Sequence, residues 1–126
     1  MLPGHAYLAP GHSHLRVRRQ ASGYVTQLGR EEPVNRHRPS VDVLFSSVAE
    51  TVGADAVGII LTGMGRDGAA GMLEMHRAGA WNIGQDQGSC VVYGMPRAAA
   101  ETGALDETAA LGNIAAVLLD RLRKGG

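Results

Sequence analysis

The sequence predicts an α/β fold in which helices flank a mostly parallel sheet, with an antiparallel hairpin near the N-terminus. The main observation is the stretch Val57–Met72, which passes from an unbroken apolar segment through glycines into an alanine-rich segment. An unbroken apolar run bounded by turn residues is typical of a strand buried on both faces, as in a parallel sheet. A second observation is that strand-like and helix-like segments alternate along the chain, which favours parallel pairing.

Length and composition indicate one small domain. The chain has 126 residues and a formal net charge of zero. Such a length suits a single domain, and zero net charge gives no general attraction to nucleic acid or to an anionic membrane. We expect no signal peptide and no membrane insertion, because no apolar run approaches the length of a membrane span. Cys90 is the only cysteine, so no internal disulfide can form, which fits a cytoplasmic protein.

The first half of the chain predicts an extended N-terminal region followed by one helix. Alternating apolar and basic residues around the turn Ser22-Gly23 indicate a hairpin with Arg16 facing outward. Ser40 is a plausible N-cap, and apolar residues then recur at helical spacing. The predicted elements are a short strand at Tyr7–Ala9, hairpin arms at residues 15–18 and 24–28, a loop over 29–39, and a helix from Ser40 to Gly53.

The second half predicts two repeats of a strand followed by a helix, then a final helix. Glycine ends two of the helices, at Gly79 and Gly103, as is common at helix C-termini. The predicted elements are a strand from Val57, a helix over Ala69–Ala78, a strand over Ala80–Ile83, a short apolar segment at Val91–Tyr93, a helix from Pro96 to about Thr102, and an amphipathic helix marked by Leu111, Ile114, Ala115, Leu118 and Leu122.

A glycine-rich turn follows the strand at Val57 and admits a cofactor interpretation. Gly63, Gly65 and Gly68 have the spacing G-x-G-x-x-G between a strand and a helix. Asp86, after the next strand, stands roughly where a dinucleotide fold places its ribose-binding acid. Asp67 weakens this interpretation, because its carboxylate would repel a pyrophosphate at the same position. A dinucleotide-binding module therefore remains the least favoured alternative.

Asp67 is the acid in that turn and has two compatible interpretations. The simpler one is a helix N-cap, a position that Asp favours and that stabilises a helix by about 1 kcal/mol. A carboxylate at a helix N-terminus also stays ionised, as the acid of a Ser-His-Asp hydrolase triad must. A nucleophile is less evident, because the chain has no Gly-x-Ser-x-Gly motif.

Histidines and arginines supply the other candidates. His12 and His14 could touch one metal, but no third ligand with suitable spacing is evident, so we expect solvated turn histidines and no metal. Arg36 and Arg38 could recognise a carboxylate of a substrate or partner. Without interleaved aromatic residues, the basic clusters do not indicate a nucleic-acid site.

Three long motifs resemble the catalytic domain of the bacterial chemotaxis protein-glutamate methylesterases, the CheB family. They are PVNRHRPSVD at residues 33–42, LTGMGRDGAAGM at residues 61–72, and QDQGSCVVYGMP at residues 85–96. LPGHAYLAP at residues 2–10 is similar as well. The resemblance runs in order over nearly the whole chain, and motifs of this length make it specific.

The resemblance implies an enzyme that hydrolyses glutamate methyl esters on methyl-accepting chemoreceptors and deamidates their glutamines. The family uses a Ser-His-Asp triad on a doubly wound, Rossmann-like three-layer fold, without cofactor or metal. Asp67 matches the triad acid, and Met64 matches the residue whose backbone N–H contributes to the oxyanion hole, flanked by Gly63 and Gly65. Such a hole stabilises the transition state of acyl transfer by a few kcal/mol.

The resemblance also implies an incomplete active site. In the family, the triad serine and histidine precede the equivalent of Leu2, so we expect residues 1–126 to be the C-terminal part of a catalytic domain. The receiver domain of the family is expected to be absent, the sheet to be incomplete on its N-terminal side, and the chain alone to be inactive. An exposed sheet edge favours self-association, so a non-catalytic module that binds the receptor or itself is the main alternative.

Overall fold

The computed structural model describes residues 1–125 and confirms the α/β class. Its regular elements are β1 (His14–Gln20), β2 (Gly23–Gly29), α1 (Val41–Thr51), β3 (Val57–Ile60), α2 (Ala69–Arg77), β4 (Trp81–Gln85), α3 (Met95–Glu101), β5 (Glu107–Ala109) and α4 (Ile114–Gly125). Short 3₁₀ turns lie at residues 53–55, 87–89 and 111–113.

The antiparallel hairpin of β1 and β2 is confirmed and packs on α1. Leu15 and Val17 are buried, whereas Arg16 and Arg18 alternate with them on the more open face. Val17 anchors the hairpin through its backbone: its N–H donates to the Ser47 hydroxyl at 2.9 Å, and its carbonyl accepts from the Thr51 hydroxyl at 3.1 Å. Alternation of buried and exposed residues therefore fixes which face of the hairpin meets the helix.

The second sheet is parallel, in the order β3-β4-β5, with α2 and α3 as its two crossovers. Neighbouring residues of a strand point to opposite faces. The side chain of Asn82 donates to the Met72 carbonyl of α2 at 2.9 Å, while the ring of Trp81 lies under the Arg121 guanidinium of α4 at 4.3 Å. Helices consequently cover both faces, as the doubly wound prediction requires.

The core lies between the parallel sheet and helices α2 and α3. Its buried members are Ile60, Ala69, Met72, Ala99 and Ala104. Asn82 is fully buried within this layer and also donates to the Ala104 carbonyl at 3.0 Å. One amide therefore joins β4 both to α2 and to the segment that follows α3. Buried polar groups are tolerated when they are hydrogen-bonded in this way.

One sequence prediction about strands is wrong, and two other features of the strands were not predicted. Tyr7–Ala9 is not a strand: Leu8 is 95% exposed, and the Tyr7 hydroxyl instead accepts from the Leu2 N–H at 2.8 Å. Val91–Tyr93 forms only a single bridge between Tyr93 and Gly63. The sequence analysis missed β5, because this short edge strand is largely exposed and has no apolar run to reveal it.

Within residues 1–125, no helix is both long enough and apolar enough to cross a membrane.

Candidate active site

The loop over residues 61–68 lies at the carboxyl end of β3 and is held from two sides. The Thr62 N–H donates to Gln85 Oε1 at 2.7 Å, which ties the loop to the end of β4. Gly63 pairs with the segment before α3, donating to the Val92 carbonyl at 3.1 Å and accepting from the Met95 N–H at 2.9 Å. A Cβ at Gly63 would overlap the Met95 sulfur, so close approach requires glycine here.

Two further glycines reverse the chain and bring Asp67 to α1. Gly65 and Gly68 have φ values of 90° and 98°, a region that glycine adopts without strain. A Cβ on Gly68 would lie 2.9 Å from Val41 Cγ1, so the loop packs directly against the first residue of α1. The carboxylate of Asp67 is thereby placed at the N-terminus of a helix that precedes it in the sequence.

The structure confirms that Asp67 caps a helix, but the helix is α1, not the α2 that follows it. Oδ2 accepts from the Val41 N–H at 2.7 Å, and Oδ1 accepts from the Asp42 N–H at 3.2 Å and from the Ser40 hydroxyl at 2.8 Å. The N-cap of α2 is Gly68, whose own turn gives no side-chain cap. A sequence pattern cannot distinguish the two helices, because the partner helix is chosen by tertiary packing.

The N-terminus of α2 is in turn capped by a carboxylate from α1. Asp42 Oδ1 accepts from the Gly71 N–H in the first turn of α2 at 2.7 Å. Each helix therefore carries a carboxylate from the other at its N-terminus, where the helix dipole favours negative charge. The Asn35 amide bridges the pair, since Nδ2 donates to Asp67 Oδ1 at 2.8 Å and to Asp42 Oδ2 at 2.6 Å.

The surroundings of Asp67 keep its carboxyl ionised. The residue is 6% exposed. Burial by itself raises the pKa of this carboxyl, but the hydrogen bonds from Asn35, the Val41 N–H, Ser40 and the Asp42 N–H outweigh that effect and hold the pKa below its usual value. The result is a fixed negative charge at the carboxyl edge of the sheet, where α/β folds place their chemistry.

A serine and a histidine lie beside Asp67, but they do not form a triad with it. In a triad, histidine stands between the serine hydroxyl and the carboxylate. Here the Ser40 hydroxyl donates directly to Asp67, and His14 Nδ1 accepts from the Ser40 backbone N–H at 3.2 Å. His14 Nε2 lies 3.0 Å from the Glu32 carbonyl, and the imidazole is fully buried. The prediction of a solvated His14 is therefore wrong, because the ring joins the hairpin to α1.

Met64 lies at the open tip of the loop. Its residue is 81% exposed, and within residues 1–125 its backbone N–H makes no hydrogen bond. An unpaired backbone N–H at the carboxyl edge of the sheet, between Gly63 and Gly65 and three residues before Asp67, is suited to stabilise an oxyanion. Gly63 fixes the loop on one side of it and Gly65 lets the chain turn away on the other.

The two arginines singled out from the sequence differ in their surroundings. A pocket of about 380 Å³ opens beside Asp67 and is lined by Asn35, Arg36, His37, Gly65, Arg66 and Asp67. Arg36 lines this pocket and makes no hydrogen bond or ion pair within residues 1–125. Arg38 instead donates to the backbone carbonyls of His12, Arg30 and Glu31, at 2.9, 3.1 and 3.3 Å. Its guanidinium holds the loop together and lies outside the lining of the pocket.

The geometry argues against the dinucleotide interpretation. The Asp86 carboxylate accepts from the Ser89 N–H at 3.0 Å and from the Ser89 hydroxyl at 2.7 Å, so it caps the turn that follows β4. The N-terminus of α2, where a pyrophosphate would bind, already holds the Asp42 carboxylate. No group of three or more His, Cys, Asp or Glu side chains in the described part of the chain is arranged to hold a metal ion.

Sequence reasoning missed the contributions of Asn35, Ser40 and Gln85 to this site. Ser40 occupies the predicted N-cap position of α1, but its hydroxyl donates to Asp67, and it is the Asp67 carboxylate that accepts from the first N–H groups of the helix. Asn35 lay in a segment interpreted as loop, and Gln85 in a polar segment after a strand. The sequence shows only that a polar residue lies near the end of a strand or the start of a helix. It does not show which distant residue that side chain contacts.

Comparison with known proteins finds one family model and several curated relatives that match this chain. A family model described as "CheB methylesterase" matches residues 1–118. Two curated relatives are each named protein-glutamate methylesterase/protein-glutamine glutaminase: one from Nitrosomonas europaea, 60% identical, and one from Paraburkholderia xenovorans, 56% identical. Both matches cover the whole chain and 35% of the relative, so the chain spans about a third of the length of these proteins.

A solved structure supports the same assignment of fold. The CheB methylesterase catalytic domain of Thermotoga maritima superposes with a TM-score of 0.88 at 33% sequence identity. The match covers 90% of this chain and 60% of that domain.

Proposed function

The chain belongs to the CheB methylesterase family, and from this premise we propose that it is the C-terminal part of a catalytic domain that hydrolyses glutamate methyl esters and deamidates glutamines on chemoreceptors. The observation that carries the proposal is the Asp67 carboxylate, held ionised by four donors at the carboxyl edge of the parallel sheet.

Asp67 has the role of the triad acid in this proposal. Its Oδ2 has one hydrogen-bonded donor and room for a second, so it can accept the Nδ1–H of a catalytic histidine and fix the tautomer of that ring. The histidine removes the proton of a serine hydroxyl, which attacks the ester carbonyl. Methanol leaves with that proton, and water then releases the glutamate by the same steps in reverse order. Both residues come from the part of the domain that precedes the matched region.

Met64 has the role of an oxyanion donor. As the serine attacks, negative charge develops on the carbonyl oxygen of the substrate, and a backbone N–H that is already oriented stabilises it without reorganisation. The Met64 N–H is free to do so because it has no acceptor within residues 1–125. A backbone donor also explains why the side chain can remain largely exposed.

Arg36 has the role of a substrate-side residue. Its guanidinium lines the pocket beside Asp67 and can pair with a carboxylate next to the glutamate that is demethylated. We retain Arg38 as a second candidate from the sequence, but its three bonds to backbone carbonyls favour a structural role.

A chimera tests the proposed function. The residues that precede the matched region in the Nitrosomonas europaea relative are joined to residues 1–126 of this chain, and methanol release from a methylated chemoreceptor is measured. We expect the chimera to release methanol and the chain alone to release none. A chimera that folds, binds receptor and releases no methanol would contradict the proposal.

A second candidate is a non-catalytic module that associates with a receptor or with itself. The supporting observation is β3, which pairs with β4 on one side and has no strand on its other side within residues 1–125. Exposed apolar side chains follow it at the carboxyl end, a set that we call the apolar rim: Leu61, Met64, Val91 and Val92. Free strand edges and exposed apolar patches favour association.

A further inference from the structure

Asn35 lies in a turn whose backbone conformation is uncommon. Asn35 and Arg36 have φ values of 53° and 67°, and they are the non-glycine residues with positive φ within residues 1–125. They form the tip of a two-residue turn closed by reciprocal backbone hydrogen bonds between Val34 and His37, each of 2.9 Å. Asn tolerates the left-handed region better than most residues, which suits it to the first central position of such a turn.

The turn directs the Asn35 amide between two carboxylates. Nδ2 donates to Asp67 Oδ1 and to Asp42 Oδ2, so one nitrogen uses both hydrogens on acids from different elements. Two carboxylates this close to a shared nitrogen repel each other unless a donor lies between them. The amide supplies that donor without adding a charge.

The distribution of donors on Asp67 is uneven. Oδ1 accepts from Asn35, Ser40 and the Asp42 N–H, whereas Oδ2 accepts from the Val41 N–H alone. A carboxylate oxygen accepts about two strong hydrogen bonds. Oδ1 therefore has a full set of donors, of which Asn35 supplies the one from outside the start of α1, whereas Oδ2 has a single donor and can accept another.

We propose that Asn35 is a positioning residue: its amide adds a donor to Oδ1 from outside α1 and so fixes the rotation of the Asp67 carboxylate, with Oδ2 left to accept from the catalytic histidine. This inference deepens the proposed function and rests on it only for one point, namely that the donor to Oδ2 is a catalytic histidine. Ser40 and the two α1 N–H groups anchor the carboxylate to the helix. Asn35 adds the donor from the opposite side and separates it from Asp42.

The competing explanation is that Asn35 serves only to form its turn. Asn35→Gly separates the two roles, because glycine adopts positive φ without strain but has no amide. Asn35→Asp is the second variant: it keeps the size and the tolerance of left-handed backbone, yet replaces the donor by a third acid. Asn113→Gly is the matched control, since Asn113 is exposed and lies in a 3₁₀ turn distant in sequence from Asp67.

The experiment is an NMR titration of the Asp67 side-chain carboxyl carbon in the complete chain and in each variant, with thermal unfolding in parallel. We expect the Asp67 titration midpoint to rise in Asn35→Gly. In Asn35→Asp it should rise further, by about one unit. In Asn113→Gly it should stay unchanged. Unchanged midpoints in both Asn35 variants would show that the amide does not act on Asp67 and would overturn the inference. Should Asn35→Gly fail to fold, an unchanged midpoint in Asn35→Asp would still overturn the inference.

Activity in the chimera separates this inference from the proposed function. We expect Asn35→Gly to lower kcat with little change in KM and Asn113→Gly to change neither. A shifted Asp67 midpoint in a chimera that is inactive even without substitution would contradict the proposed function and leave the positioning role standing. An active chimera whose Asp67 midpoint and kcat are unchanged in both Asn35 variants would support the proposed function and overturn the positioning role of Asn35.

Discussion

At the scale of single residues, the site depends on how the Asp67 carboxylate is paired. Its acceptor contacts reach the loop at Asn35 and the start of α1, so a single side chain joins three parts of the chain. Leaving such buried donors without an acceptor costs about 1–3 kcal/mol for each group. The same contacts that ionise the group for chemistry therefore also stabilise the fold.

Asp67→Asn is expected to lower the free energy of unfolding at pH 7 by about 1–3 kcal/mol, because an amide cannot accept from all the donors that the carboxylate accepts from. The folded-state pKa of Asp67 is lowered, so its stabilisation is present above the unfolded-state pKa and is lost as pH falls through the folded-state pKa. The difference between wild type and variant should shrink as pH falls below about 4. Urea unfolding at pH 7, 5, 4 and 3 measures it.

Glu31→Gln is the control for this pH series. A hydrogen bond from Arg16 at 2.9 Å lowers the pKa of Glu31 too, but the pair is solvent-exposed, and exposed pairs contribute little. A pH-independent difference for Asp67→Asn, or an equal effect of Glu31→Gln, would show that Asp67 does not act through its charge.

Residue-level prediction from the sequence succeeded where the chemistry is local. An acid in a glycine turn before a helix indicated a cap, which the structure shows on α1 and not on the helix that follows. The role of triad acid, implied by the resemblance, stays a prediction. The helix that Asp67 caps and the burial of His14 could not be predicted, because both depend on residues 18 to 27 positions away in sequence.

At the scale of elements, the site depends on the close approach of α1 and α2. A Cβ on Gly71 would lie 2.7 Å from Phe45 Cβ and 3.0 Å from the Asp42 carbonyl oxygen. The absence of a side chain at Gly71 thus lets its N–H reach the Asp42 carboxylate. Helix contact and reciprocal capping are consequences of the same glycine.

Gly71→Ala is expected to destabilise the protein. Alanine improves helix propensity by about 1 kcal/mol, but overpacking against backbone costs about 1–3 kcal/mol, and here the loss of the cap from Asp42 adds to it. Gly112→Ala is the matched control, because a Cβ there meets nothing within 4 Å. Urea unfolding of both variants checks this; an equally stable or more stable Gly71→Ala would contradict the described packing.

Element prediction was accurate for helices and for buried strands. Apolar periodicity gave α1, α2 and α4 and the runs in β3 and β4, since these elements bury one face or both. It predicted a strand at Tyr7–Ala9 that does not form, and it missed β5, whose largely exposed residues leave no periodic signal.

At the scale of the whole molecule, the chain has a buried core and an open sheet edge. The core of α2, α3 and the parallel strands is buried within residues 1–125, whereas β3 and the apolar rim are open to solvent. The solved catalytic domain is longer than the part that matches this chain. No local sequence pattern shows that one edge of a sheet is unpaired. Only the resemblance therefore indicated that the family domain extends beyond the part that matches this chain.

Self-association is the expected result of that open edge. In sedimentation velocity, the chain should show a concentration-dependent increase in mean mass, and Leu61→Lys should reduce it by placing a charge beside β3. Leu28→Lys, an exposed leucine on the hairpin instead, is the matched control. A wild-type chain that stays monomeric at all concentrations would exclude association through this edge.

The most direct test of the account is the effect of Asp67→Asn on methanol release by the chimera. If Asp67 orients the catalytic histidine, kcat should fall by about 10⁴-fold, the scale known for an Asp-to-Asn change of the triad acid in a serine protease, with KM little changed. Glu31→Gln should leave kcat at the wild-type value. A folded Asp67→Asn chimera that retains wild-type kcat would contradict the assignment of Asp67 as the catalytic acid of this family member.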